Sequence, residues 1–429
     1  MDPVLQVALD FVDLSRALRA AREAVEGGAR WLEVGTPLLK SEGLEAVRAL
    51  RREFPRATIV CDGKTMDAGR TELETAAEAG AAYVTVMGAS ADSTIRECVE
   101  AGAGYGVKVM VDMLAVPDPV ARAREVEAIG VDVVDIHCPI DEQMRGGDPF
   151  ETLRRVAAAV KIPVAVAGGI NSETAAAAVA AGASIVIVGG AITKAENARA
   201  ATEAILRVIA SGAAERSELF VRAGEEGIRA VLERVSTPNV SDGNHRIPCL
   251  SGIRTIALGT KAVGPALTIR TAPGDWAKPV EAIDEAAPGS VLVIDAGGVP
   301  PAVWGELASH SAKGRGLAGV VCHGAVRDTP EIRAMGLPVF STHVTSEAGY
   351  AKGYGEIGVP ISIGNVRVET GDWIAADDDG VMVLPRARAV EMANRAQDWL
   401  ERENRIRREI VEGKSTLAQV AEIYKWERK

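Results

Sequence analysis

Aromatic residues are scarce in this chain: Phe, Trp and Tyr together make up 4% of its 429 residues. A broad stacking platform for bases or sugars is therefore excluded. Positive charge is not in excess either, since 48 Lys and Arg stand against 59 Asp and Glu, for a formal net charge of −11. A general nucleic-acid binder needs a basic footprint, and this average charge repels a phosphate backbone. Single small anions remain compatible, because a few backbone N–H groups suffice to hold one phosphate. The five cysteines (Cys61, Cys98, Cys138, Cys249, Cys322) are scattered and form no C-x-x-C pair. That excludes a disulfide framework or a zinc knuckle and fits reduced thiols in a cytosol. The first residues, MDPVLQVALDF, carry acid where a signal peptide has a basic segment. The longest uncharged run, Thr174 to Thr193, changes midway from a helical period to the strand-like Ile185–Val188. A helix, turn and strand fit it better than a membrane span, so a soluble, cytoplasmic protein is expected.

What is present is ordinary globular material, 47% hydrophobic and 25% charged, rich in Ala and with 44 Gly. Its length predicts two domains or one unusually large one. The first half repeats. Apolar runs occur at Leu5–Asp10, Trp31–Val34, Thr58–Asp62, Tyr83–Val86, Lys108–Asp112, Val133–His137, Pro163–Ala167 and Ile185–Val188, with helical stretches between them. In the first of these stretches Asp13 can cap, Leu14, Leu18, Ala21 and Val25 share a face, and Gly27-Gly28 ends the helix. Eight strand–helix units in about 210 residues predict a (β/α)8 TIM barrel over 1–211. Residues 212–235 read as a charged helical linker. Residues 236–429 then mix short strands (Ala266–Arg270, Val291–Asp295, Gly319–Cys322, Val339–Ser341, Trp373–Ala375, Val381–Leu384) with Gly/Pro turns, predicting a second α/β domain. Arg386–Lys429 reads as a charged amphipathic helix at its end.

In a barrel, polar groups at the C-terminal ends of strands line the active site. Here the strand ends supply Asp10, Glu33, Asp62 with Lys64 and Asp67, Asp112 and His137. The sharpest piece is Asp62-Gly63-Lys64-Thr65-Met66-Asp67, because alternate residues at a strand end face the same way and bring Asp62 and Lys64 into one mouth. A lysine flanked by carboxylates is held cationic, suited to an enolate oxygen or to proton movement. Glu33 and Asp62, on adjacent strands, are hard oxygen ligands fitting Mg²⁺, with Mn²⁺ as the alternative. The Gly168-Gly169 and Gly189-Gly190 turns after strands 7 and 8 stand where barrels commonly bind phosphate.

The segments Val7-Ala8-Leu9-Asp10, Glu33-Val34-Gly35-Thr36-Pro37, Asp62 to Asp67 and the two Gly-Gly turns resemble the 3-hexulose-6-phosphate synthase family, part of the orotidine-5'-monophosphate decarboxylase suprafamily. The resemblance covers about residues 3–210. It implies a reversible, Mg²⁺-dependent aldol addition of formaldehyde to D-ribulose 5-phosphate, giving hexulose 6-phosphate. By the same resemblance Glu33 and Asp62 hold the metal, Lys64 and Asp67 surround the enediolate, and His137 shuttles the C1 proton. It also implies a barrel dimer in which Asp67 reaches the partner's site. The rival family, 3-keto-L-gulonate-6-phosphate decarboxylase, tends to carry an arginine after the histidine and another beside the strand-8 turn. The matching stretches here, His137-Cys138-Pro139-Ile140-Asp141 and Gly189-Gly190-Ala191, have neither.

In the second half, Gly319 to Val326 is followed by Arg327-Asp328, a cationic fork beside a metal-capable carboxylate, with Gly305-Glu306-Leu307 upstream. Arg can grip a 2-oxo acid carboxylate and Asp can hold Mg²⁺ at the keto oxygen. Gly314 to Gly319 matches G-x-G-x-x-G but precedes a strand, so the dinucleotide reading fails. Asp377-Asp378-Asp379-Gly380 reads as a polar turn, and His245, His310, His323 and His343 show no ligand spacing. About residues 225–390 resemble the family holding the regulator of ribonuclease activity A and the 4-hydroxy-4-methyl-2-oxoglutarate aldolases. That resemblance implies that Arg327 binds a pyruvate carboxylate and Asp328 the Mg²⁺, whereas members without aldolase function are trimeric rings that bind ribonucleases or helicases. The combined expectation is a bifunctional homo-oligomer, with barrel dimers, C-terminal trimers and a hexamer where both form. Its substrates would be a sugar phosphate, formaldehyde and a 2-oxo acid, with no nucleic acid and no membrane partner.

Overall fold

The computed structural model describes residues 2–423 apart from 218, 220, 414 and 422. They form two compact units, one of residues 1–222 with 401–429 and the other of residues 223–400. No helix among the described residues is long and apolar enough to cross a membrane.

Unit 1 holds a closed barrel of eight parallel strands: β1 (Val4–Leu9), β2 (Trp31–Val34), β3 (Thr58–Thr65), β4 (Tyr83–Met87), β5 (Lys108–Asp112), β6 (Val133–His137), β7 (Val164–Ala167) and β8 (Ile185–Val188). Strand alternation separates two cores. Outward residues such as Val7, Leu32, Ile59, Val109 and Val134 pack beneath the helices. Inward residues Val60, Tyr83, Met110, Val133 and Ile185 fill the barrel floor. Further along β2 to β6 the inward positions are polar, Glu33, Asp62, Thr85, Asp112 and Asp135, whereas on β7 and β8 they are Ala167 and Ile187. The barrel thus closes below with hydrocarbon and opens above with charge.

The first helix runs Leu14–Glu26, with Asp13 accepting from the Arg16 N–H at 2.9 Å. Its fully buried face is Ala17, Ala20, Ala21 and Ala24, so the helix sits close to the strands and its larger Leu14, Leu18 and Val25 lie at the margin.

Unit 2 is built on β9 (Arg254–Thr255), β10 (Ala262–Thr271), β11 (Val291–Asp295), β12 (Ala302–Trp304), β13 (Gly319–Val326), β14 (Val339–Val344), β15 (Gly355–Ile357), β16 (Ile361–Ile363), β17 (Val366–Val368), β18 (Trp373–Asp377) and β19 (Gly380–Leu384). The main sheet has the order β19-β18-β10-β11-β13-β14-β9, with β12 on β13 and β15 on β10. The long β10 pairs antiparallel with β18 through its first half and parallel with β11 through its second. Both faces are covered, as in β11, where Leu292 and Ile294 join one apolar cluster and Val291 and Val293 another. Asp377 closes β18 and Gly380 opens β19, so the acidic run is a hairpin turn, and Asp378 caps the Gly259 N–H at 2.9 Å.

Two expectations differ from what is seen. Residues 212–235 are not one helical linker: among its described residues only Ile228–Arg234 is α-helical, preceded by a single tight turn at Glu225–Gly227. The terminal segment, expected to be one helix to Lys429 within the second domain, is a helix Ala389–Val411 and a short one at Leu417–Val420. Residues 414, 422 and 424–429 lie outside the described residues. Residues from 401 onward group with the barrel.

The reason is an ion-pair network. Arg405, 4% exposed, donates from Nη1 and Nη2 to the two Glu23 oxygens at 2.9 and 2.8 Å, and from Nε to Glu409 at 3.1 Å. Glu409 also meets Arg16 at 3.2 Å. Removing the cation strands Glu23 in a half-buried position. Arg405→Ala is expected to lower the unfolding free energy of the barrel by about 3 kcal/mol; chemical denaturation followed by barrel tryptophan fluorescence measures it, and an unchanged transition contradicts the role.

Candidate active site

The polar layer at the barrel mouth is organised by Lys64. Its ammonium lies 2.7 Å from Asp112 Oδ2 and 3.2 Å from Asp62 Oδ2, joining β3 to β5 across β4. The chain reaches this geometry through an irregularity: pairing with β4 slips between Cys61 and Thr65, and Lys64 takes a left-handed φ of 46°. Such a bulge re-aims a side chain at the cost of local strain. The Lys64 N–H donates to Thr85 Oγ1 at 3.1 Å, which ties the bulge to β4. Burial pulls the ammonium's pKa down, but Asp62 and Asp112 outweigh it and hold Lys64 above the ordinary lysine value.

Asp112 is completely buried. Its Oδ2 also accepts from His137 Nδ1 at 3.1 Å, and its Oδ1 accepts from the Leu114 N–H at 2.8 Å. Burial alone raises this carboxyl, yet the His137 hydrogen bond and Lys64 draw it down to about 2, so it stays ionised. Burial lowers His137, whereas the bond to Asp112 and the nearby Asp135 raise it above the ordinary imidazole value. With Nδ1 committed to Asp112, Nε2 is the nitrogen for proton transfer. Cys138, next in sequence, is pushed up to about 11 by burial and stays a neutral thiol.

On the other side of Lys64 are the acids of β1 to β3. Asp62 accepts from Thr36 Oγ1 at 2.6 Å and from Thr85 Oγ1 at 2.7 Å. Glu33, buried, accepts from Gln6 Nε2 at 2.6 Å. Burial, then Asp62 and Asp10, push Glu33 well above the usual carboxylate range. These hard oxygen donors are crowded together away from water, an environment a divalent cation relieves, so Glu33 and Asp62 fit such an ion. Asp112, Asp135 and His137 also bring donor atoms within 4.8 Å of one another, but there Asp112 Oδ2 and His137 Nδ1 are already engaged with each other.

Asp10 stands at the exit of β1, and two glycines make room for its carboxylate. A Cβ on Gly35 would lie 2.1 Å from Asp10 Oδ1, and one on Gly189 3.3 Å from Oδ2. Gly168 has φ +99°, and a Cβ there would strike the Cys138 carbonyl at 2.4 Å. Packing therefore requires Gly35 and Gly168 whether or not an anion binds. Gly169 and Gly190 complete the two turns at the ends of β7 and β8. Asp67 does not join the cluster: it is exposed, and its carboxylate accepts from the Ala68 N–H at 2.7 Å. Sequence reasoning missed Thr85, Gln6 and Asp135; the inward period on β4 and β6 was the available signal for Thr85 and Asp135.

In unit 2, Arg327 Nε lies 3.5 Å from Asp328 Oδ2 just beyond β13. Asp328 has a left-handed φ of 59° and accepts from the Glu306 N–H at 3.1 Å. A Cβ on Gly305 would come within 2.6 Å of the same oxygen, so the upstream glycine admits the carboxylate. His323, without ligand spacing in the sequence, pairs from within β13 through Nδ1 with Asp295, the last residue of β11, at 2.8 Å.

A family model described as Orotidine 5'-phosphate decarboxylase / HUMPS family matches residues 3–205, and one described as Aldolase/RraA matches residues 237–383. The barrel is similar to the 3-hexulose-6-phosphate synthase of Bacillus subtilis (strain 168), 41% identical over 171 residues, which covers 40% of this chain and 81% of the relative. It is similar to that of Mycobacterium gastri at 38% over 170 residues, covering 40% and 82%. The second unit is similar to the RNA-processing inhibitor RraA of Thermus thermophilis, 32% identical over 35% of this chain and 92% of that one, with a TM-score of 0.33. Through residues 3–205 the chain belongs to the orotidine 5'-phosphate decarboxylase / HUMPS family, alongside 3-hexulose-6-phosphate synthases, and through residues 237–383 it carries an Aldolase/RraA domain.

Proposed function

We propose that the barrel catalyses the reversible aldol addition of formaldehyde to D-ribulose 5-phosphate, giving 3-hexulose 6-phosphate. The observation that carries this reading is the continuous Asp62–Lys64–Asp112–His137 chain at the barrel mouth. His137 Nε2 takes the C1 proton of the ketose, and the Lys64 ammonium offsets the charge that develops on the enediolate oxygen. C1 then forms its bond to the formaldehyde carbon, and the imidazolium returns the proton to the former carbonyl oxygen. Glu33 and Asp62 would hold Mg²⁺ or Mn²⁺, which supplies Lewis acidity to the neighbouring substrate oxygens. Backbone N–H groups of the Gly168-Gly169 and Gly189-Gly190 turns are the candidate phosphate contacts. Asp67, outside the cluster, can take part only by reaching a second copy of the chain.

For unit 2 the favoured reading is a metal-dependent 2-oxo-acid aldolase. It is supported by the Arg327–Asp328 pair and the left-handed backbone held at Asp328, since strain of this kind clusters at functional positions. Arg327 would grip the carboxylate and Asp328 would hold the cation. A ribonuclease-binding or oligomerising module is the competing reading.

Three outcomes are expected of the full chain. Ribulose 5-phosphate is consumed only with formaldehyde, EDTA abolishes consumption and Mg²⁺ restores it, and Asp62→Ala lowers kcat at least about 100-fold; rates indifferent to EDTA contradict the metal assignment. The base form of His137 exists only above its raised pKa, so kcat/KM falls on acidification with a midpoint above 6.5; a midpoint below that value contradicts the role given to Asp112. Asp328→Ala abolishes metal-dependent cleavage of 2-oxo-4-hydroxy acids and leaves the barrel rate unchanged; an absence of any such cleavage in the unsubstituted chain, with a ribonuclease captured by pulldown, favours the binding module.

A further inference from the structure

Asp112 and Asp135 are register partners on β5 and β6, both directed into the barrel. Their situations are opposite. Asp112 has a lysine, an imidazole and a backbone N–H. Asp135 is 4% exposed, and its Oδ1 has no hydrogen-bond partner. One donor atom each of Asp112, Asp135 and His137 lies within 4.8 Å of the other two. The charged groups facing Asp135 are Asp112 from β5, Lys64 and Asp62 from β3, and His137 from its own strand. On the β7 side its register partner is Ala165 and that of His137 is Ala167, neither of which carries charge.

Two adjacent carboxylates out of water do not both ionise readily, and the one with the better donors ionises first. Here both cations are taken by Asp112, so the proton falls to Asp135. Resting on the reading in which His137 moves the substrate proton, we propose that Asp135 is a positioning residue acting through His137. Its carboxyl and the His137 imidazole titrate as one coupled pair beside the ionised Asp112, and the charge on Asp135 sets the pH at which His137 becomes a base. The electrostatics agree in direction: burial, then Asp112, push Asp135 up to about 7, and Asp135 is among the groups that raise His137. As pH rises, loss of the Asp135 proton strengthens the hold on the imidazolium, so His137 discharges late. A neutral side chain at 135 lets it discharge earlier.

The test is an NMR titration of the ¹⁵N-histidine-labelled full chain without substrate. It has five histidines, and His137→Gln assigns the signal in question. The expected result is a two-step titration of His137, because coupled groups share their macroscopic steps. In Asp135→Asn it becomes one step with a midpoint lower by roughly one pH unit, and the acid limb of kcat/KM moves by the same amount. A single-step titration in the unsubstituted chain, or the same midpoint in the folded Asp135→Asn protein, overturns the proposal. Should the variant not fold, the unsubstituted titration decides alone. Because it uses no substrate, a two-step curve in a protein without formaldehyde-dependent turnover would sink the aldol reading while leaving the coupled pair standing.

Discussion

A carboxylate sealed from water needs a cation, and at the mouth of this barrel Asp112 obtains one from Lys64, three residues beyond the regular pairing of β3. The rest of the site depends on that contact. It keeps Asp112 ionised, and ionised Asp112 orients His137 through Nδ1. It holds the β3 bulge in place, which leaves Asp62 beside Glu33 with hydroxyl donors from Thr36 and Thr85. Carboxyl groups then crowd the β1–β3 side, and the ammonium sits between the two acidic groups. One ammonium separates the half of the mouth proposed to hold a metal from the half proposed to move a proton.

Much of this was legible in the sequence because barrel strands obey a short rule. Inward positions recur every second residue, so apolar runs that carry an acid, such as Lys108–Asp112 and Val133–His137, announce both strand and mouth. All eight strands lie where those runs predict, within a few residues at their ends. The site residues that escaped notice are of two kinds. Thr85 and Gln6 look like ordinary β-formers, and only the register with Asp62 and Glu33 reveals them as hydrogen-bond donors. Asp135 sits inside an apolar run, where the histidine two residues later draws attention first. The bulge at Lys64 has no local signature, since a left-handed lysine is chosen by its partners and not by its own preference.

The second unit was harder to read for the same physical reason. Strands of two or three residues, such as β9, β12 and β15, carry no period and exist because a longer neighbour offers them hydrogen bonds. Contacts far apart in sequence were equally hidden. Arg405 and Glu23 are 382 residues apart, and nothing around either one shows that the other will complete it. By contrast Arg327-Asp328 was visible from its glycine-rich approach, and Gly305 is where the carboxylate needs space.

The central claim is that Lys64 and His137 act together on a proton of the sugar phosphate, and solvent exchange at C1 of ribulose 5-phosphate isolates that step from formaldehyde altogether. In D₂O with Mg²⁺ and no aldehyde, the unsubstituted chain should place deuterium at C1, and Lys64→Ala and His137→Gln, both folded, should each suppress the exchange. Exchange that continues undiminished in either variant would contradict the account.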